Sequence, residues 1–297
     1  MTVQIYSDEP HRGWLPWVWL APFVGVFLIA VPALPFDLVL ERLGATDAHG
    51  DPTSAAGFCL MLILPFSAMA AAVLAWTRWV ERRGLETLGL LGTDRRRNYL
   101  RGLAAGLAIM GLAVLLIRLA GGYRAEEGFP AFASPLAIMW IAALFMGFMV
   151  QAGIEELIFR GWLLSSITRR WNLAAGFIGS SLAFTIVHLS PDQPLRVTAL
   201  SFLFGLFACA WARRENGIWG VMGWHASWNW LGGVGFDVPI TGLDVHLPAL
   251  IWHLVPVGPD YLNGGAEGPE GSVFTIGLLV VAAAILLVSR TRASSNP

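Results

Sequence analysis

The chain has 297 residues, of which 56% are hydrophobic and 13% charged, with a formal net charge of −1 and a mean hydropathy of +0.63. A soluble domain of this size carries about a quarter charged residues, so an ordinary water-soluble enzyme is excluded. The near-zero charge by itself points to no partner.

Taken in chain order, a short polar lead, MTVQIYSDEPHR, precedes a first apolar run without a small-residue cleavage site, which reads as a retained span. Eight stretches are apolar enough to cross a bilayer: 14–36, 55–77, 99–121, 132–154, 172–189, 197–212, 217–235 and 272–289. Each must satisfy its own backbone hydrogen bonds, and without barrel patterning that means helices. The expectation is an all-α polytopic transmembrane bundle of about eight spans, forming one integral-membrane domain over 1–297. Trp14, Trp17, Trp76, Trp79, Trp162, Trp171, Trp211 and Trp219 fall at stretch ends, where an indole sits half in lipid and half in water. Cys59 and Cys209 lie inside apolar stretches and read as packing residues.

The charges are segregated. All 19 basic residues are arginines. They crowd alternate connections at Arg78–Arg83, Arg95–Arg101, Arg169–Arg170 and Arg213–Arg214, and the tail at Arg290 and Arg292. The connections between are acidic or balanced, so the positive-inside rule puts both termini in the cytoplasm, with the cell membrane as the expected location. Arginines beside a span read as topology signals and not as a nucleic-acid patch. The segment 236–271 is rich in Gly and Pro and should lie outside, with Leu243 to Val257 on the membrane surface or dipping into it. His246 and His253 within it read as ordinary surface residues.

Ionisable groups inside spans are expensive there and mark function by default. Between Ala131 and Thr168 the charged residues are Glu155, Glu156 and Arg160. Glu156 and Arg160 stand four apart with the acid first, the favourable order for a helical ion pair. Glu155 points about 100° away and lacks that partner. A bland alternative is that the three form a structural pair or cap a helix. His188 closes Phe184–His188, and His225 and Asn229 share one face of a third helix. If the chain turns at Arg169–Asn172, Glu155 and His188 are equidistant from a midpoint near 171.5 and could meet, as a water-activating pair needs. A helix over 132–168 would be about 55 Å long, so it must project from the membrane or break, near Gly147 or Gly153. Pro191, Asp192 and Pro194 stop the next helix just after His188.

Glu-Glu-x-x-x-Arg, then Phe-x-x-x-His, then His-x-x-x-Asn, in this order on successive helices, resembles the CPBP intramembrane proteases. That family includes the type II CAAX prenyl endopeptidases and the bacterial Abi proteins linked to bacteriocin processing and self-immunity. The resemblance covers about 130–235. It implies that Glu155 is the general base, assisted by His188, and that Glu156 pairs with Arg160 to hold the helix. It further implies that His225 and Asn229 donate hydrogen bonds to the tetrahedral oxyanion. A metal-free mechanism is favoured, with zinc on Glu155, His188 and His225 as the alternative cofactor arrangement. Implied partners are membrane lipid and a peptide or protein substrate, possibly lipidated, and no nucleic acid. The competing readings are an ion- or proton-coupled transporter and a non-catalytic scaffold or immunity protein. Concentration of the polar groups in 155–229 argues for the protease.

Overall fold

The computed structural model describes residues 5–6, 11–92, 94–190 and 193–288. The N-terminal lead up to Pro10 (apart from Ile5 and Tyr6), Pro191, Asp192, Arg290 and Arg292 lie outside them.

Each of the eight apolar stretches forms a helix: α1 (Ala21–Arg42), α2 (Ala55–Ala75), α3 (Arg95–Leu119), α4 (Pro135–Glu156) with α5 (Leu164–Arg170), α6 (Leu173–Val187), α7 (Leu195–Glu215), α8 (Trp219–Gly235) and, after the four-residue α9 (Asp260–Asn263), α10 (Val273–Val288). Local chemistry sets their starts. The Ser54 hydroxyl accepts from Gly57 N at 3.1 Å, the Ser134 hydroxyl from Ala137 N at 3.2 Å, and the Asn172 carbonyl oxygen from Ala175 N at 2.9 Å. Each side chain satisfies an amide that the helix leaves unpaired. Pro22 sits in the first turn of α1, which therefore begins after Trp14 and Trp17.

Among the described residues, six helical segments are long and apolar enough to span a membrane. The other two, α6 with 15 residues and α8 with 17, are shorter. At 1.5 Å per residue they reach about 22 and 26 Å, below the roughly 30 Å of hydrocarbon. The protein is a helical membrane bundle; α8 lies in its interior, while α6 keeps one face exposed through Ile178, Leu182 and Ile186. Every α8 residue from Gly220 to Gly235 except Trp230 is buried. A helix buried on all faces is a central element, and α8 is packed between α3 and α4.

The α3–α8 contact depends on glycine. Gly102 and Gly106, four apart on α3, face Gly220, Trp224 and Ser227 of α8; Gly223 of α8 faces Tyr99 in return. A methyl at Gly102 would overlap the Gly220 carbonyl, and one at Gly106 would overlap the Trp224 carbonyl and the Ser227 hydroxyl. Ser227 Oγ uses that closeness to donate to Leu103 O at 2.9 Å. Small residues spaced four apart are how membrane helices approach without a hydrophobic drive between them. Gly106→Leu is expected to push α3 away from α8 and lower the midpoint of thermal unfolding in detergent by several degrees. An unchanged midpoint would show that the bundle does not depend on this approach.

The long helix neither stops nor breaks at Gly147 or Gly153. It runs for 36 residues from Pro135 to Arg170. The departure from α geometry comes later, as a π-helical segment over Leu157–Leu163. Such segments re-aim side chains and occur often at functional sites. This one begins one residue after Glu156 and contains Arg160. The chain then turns at Trp171–Asn172 and returns as α6, where the Arg-Arg-Trp-Asn sequence predicts it.

Within Leu243–Val257 of the segment 236–271, Val245, Ala249 and Leu254 are buried in protein, while Val257 is exposed. The strand β2 (Trp252–Pro256) pairs antiparallel with β1 (Tyr123–Gly128), with an irregularity between Ala125 and Glu127. Leu250 N and Ile251 N donate to Val234 O and Gly235 O, so the loop caps carbonyls freed at the end of α8. Both cysteines are free and buried.

Candidate active site

A cavity of about 200 Å³ opens between α2, α4, α6, α7 and α8. Its polar lining includes Gln151, Glu155, His188, His225 and Asn229, with Thr241, Glu267 and Glu270 contributed by the loops. Phe58, Met61, Leu62, Phe148, Val197 and Leu200 form much of its apolar wall. Four of the six residues singled out from sequence (Glu155, His188, His225 and Asn229) thus line one cavity. Glu156 and Arg160 are fully buried behind it.

The Glu156–Arg160 pair forms as the spacing predicts: Arg160 Nη1 donates to Glu156 Oε1 at 3.0 Å, and neither side chain is exposed. The guanidinium also lies 4.4 Å above the Phe184 ring centre. Phe184 stacks in turn on Phe204 at 5.3 Å and on His188 at 4.2 Å. The cation is therefore held by a carboxylate and by ring faces together. What the spacing did not show is a second partner for Glu156: His225 Nδ1 lies 2.8 Å from the same Oε1. One carboxylate oxygen ties the Arg160 guanidinium to the imidazole of α8.

Because a carboxylate only accepts, His225 donates from Nδ1, and its Nε2 points the other way. That Nε2 lies 3.7 Å from Glu155 Oε2. His225 thus stands between the two glutamates, and in its neutral form it presents a lone pair to the cavity. It donates from Nε2 to an oxyanion only when it carries a second proton.

Glu155 is 8% exposed. Its Oε1 accepts from Gln151 Nε2 at 2.6 Å, while its Oε2 has no hydrogen-bond partner among the described residues. Gln151 Oε1 accepts from Asn229 Nδ2 at 3.0 Å. Sequence reasoning missed Gln151, although an uncharged amide one helical turn before Glu155 in an otherwise apolar segment was a usable signal.

Glu155 and His188 do not meet directly across the hairpin. They face the same cavity without a hydrogen bond or ion pair between them. The distance rule placed them at one level, but α6 ends at Val187 and His188 caps it, with Nδ1 directed to Phe184 O at 2.8 Å. The ring is thereby turned toward its own helix, and Nε2 is left for the cavity. No group of three His, Cys, Asp or Glu residues among the described residues converges closely enough to hold a metal ion. Glu155, His188 and His225 do not form a ready zinc set in this geometry.

His253 is not an ordinary surface residue. Its Nδ1 lies 2.5 Å from Asp237 Oδ2, and its Nε2 lies 3.7 Å from Glu126 Oε2, so it links the start of the loop to β1. His246 sits near Asp244 at 3.8 Å and is half exposed.

Residues 135–231 match the family described as Type II CAAX prenyl endopeptidase Rce1-like. This agrees with the CPBP resemblance and covers Glu155, Glu156, Arg160, His188, His225 and Asn229. No curated protein matches the chain.

Proposed function

We propose that the protein, whose residues 135–231 carry the Rce1-like segment, is an intramembrane endopeptidase that hydrolyses a peptide bond of a membrane-associated or lipidated substrate. The observation that carries this reading is Glu155. It is a buried carboxylate with one oxygen fixed by Gln151 and the other unpartnered beside a cavity that also holds two imidazoles and an amide.

Peptide hydrolysis needs a base for water, donors for the developing oxyanion and a proton for the departing amine. Glu155 Oε2 is the base: it takes a proton from water as the oxygen attacks the carbonyl carbon. Asn229 Nδ2 spends one hydrogen on Gln151 and keeps a second for the oxyanion. His225, held at Nδ1 by Glu156, adds a second donor in the form that also carries a proton on Nε2. His188 Nε2 serves proton transfer to the leaving nitrogen, either directly or from Glu155. The C–N bond breaks as that nitrogen gains its proton, and the new carboxylate keeps the water oxygen. Glu156 and Arg160 position His225 and the π-helical turn. The arginine-rich connections favour cytoplasmic termini.

The test uses purified protein in detergent with a panel of quenched fluorogenic peptides, some C-terminally prenylated and some transmembrane. Wild-type cleavage that falls about 10²–10⁴-fold in His188→Ala, the range for loss of an acid–base group, supports the assignment. Survival of activity with chelator supports the metal-free route, and loss restored by zinc would make the same residues ligands. Equal cleavage by wild type and variant removes His188 from the reaction, and a wild type that cuts no peptide removes the protease reading.

A further inference from the structure

The general base and the oxyanion donor are joined through one side chain, and its amide is oriented by chemistry. Gln151 lies on α4, one turn before Glu155, and is 8% exposed. Its Nε2 is 2.6 Å from Glu155 Oε1 and its Oε1 is 3.0 Å from Asn229 Nδ2. An ionised carboxylate offers only acceptors, so the amide must turn its NH2 to Glu155. Its oxygen then faces α8, and Asn229 must answer with its own NH2. The direction of both amides thus follows from the charge on Glu155.

We infer that Gln151 is a positioning residue for the proposed hydrolysis, which selects the reactive oxygen of Glu155 and orients the Asn229 amide toward the oxyanion. This rests on the protease reading. Two consequences follow from the geometry. With Oε1 engaged by Gln151, Oε2 is the oxygen left without a hydrogen-bond partner among the described residues, and it is the one that lies 3.7 Å from His225 Nε2. With one Asn229 hydrogen committed across the α4–α8 contact, the second is held in a fixed direction from a residue that lines the cavity. Base and donor sit on different helices, and without Gln151 no hydrogen bond connects Glu155 to Asn229. Displacement of a catalytic group by about 1 Å lowers rates on the order of 100-fold.

Gln151→Met keeps the length of the side chain and removes both polar ends. It is expected to lower kcat about 100-fold while KM stays within about threefold of wild type, because Gln151 acts on reacting groups and not on distant parts of the substrate. In an Asn229→Ala background the same change is expected to cost less than in wild type, since the donor it orients is already gone and only its hold on Glu155 remains to be lost. Gln151→Glu separates the two ends: its carboxylate still accepts from Asn229 but, when ionised, has no hydrogen for Glu155. It should be at least as impaired as the methionine variant, and it keeps the test decisive should Gln151→Met fail to fold. The assay uses any peptide of the panel that wild type cleaves, with Glu155→Gln as control. A wild type that cuts nothing overturns the protease reading and this inference with it, and an active Glu155→Gln ends the base role of Glu155 and this inference with it. An active wild type and inactive Glu155→Gln, together with wild-type kcat in both Gln151 variants or with full additivity to Asn229→Ala, overturn this inference alone.

Discussion

Replacing Arg160 with methionine is expected to destabilise the protein by about 3–5 kcal/mol, the range for removing one partner of a buried ion pair. Both Arg160 and Glu156 side chains are fully buried. Without the guanidinium, the hydrogen bond left to Glu156 among the described residues is the one from His225 Nδ1, while its side chain stays fully buried. The ring stack loses its cation as well, and Phe184 also stacks on His188. The measurement is the folded fraction in detergent against temperature or denaturant. Glu156→Gln combined with Arg160→Met should be less damaged than Arg160→Met alone, because no uncompensated charge then remains. Wild-type stability of the single variant would mean that the pair contributes nothing to the fold.

Glu155→Gln is expected to leave folding unchanged and to lower cleavage by about 10²–10⁴-fold, the span attributed to a positioned general base. The side-chain volume is kept. The altered amide can still accept from Gln151 through its oxygen, but it has no basic oxygen for the water proton. Glu155 contacts His225 only at 3.7 Å, whereas Glu156 holds that imidazole at 2.8 Å. His225 should therefore remain in place in this variant, and lost activity is then attributable to the base. Cleavage at the wild-type rate by a folded Glu155→Gln would end the role assigned to this carboxylate. It would also leave the unpartnered Oε2 without a function.

Gly106 carries a different lesson. Gly102 and Gly106 stand four apart in an apolar helix, a spacing that predicts close helix approach, and a local reading had access to it. The partner helix was not readable. Gly106 faces Trp224 and Ser227, one and two residues from His225, so the glycine spacing on α3 fixes the level of this cavity-lining histidine. Gln151 is similar: its sequence position was visible, but its meaning depends on Asn229, 78 residues away.

Sequence by itself determined what repeats along one helix or within one turn. The long apolar runs demanded helices because a bilayer offers no hydrogen-bond partners. The four-residue spacing determined the Glu156–Arg160 pair, and Arg-Arg-Trp-Asn with its capping asparagine determined the turn before α6. Only the tertiary structure decided which imidazole belongs to which glutamate. Equal distance from a hairpin tip sets level along the axis, but rotation about each helix decides contact. The stacking of His188 on Phe184 and its bond to the Phe184 carbonyl tie its Nδ1 to its own helix. Burial of α8 between α3 and α4 brought His225 to both glutamates instead. Rotation and depth are set by packing among helices far apart in the chain, and no local periodicity encodes them.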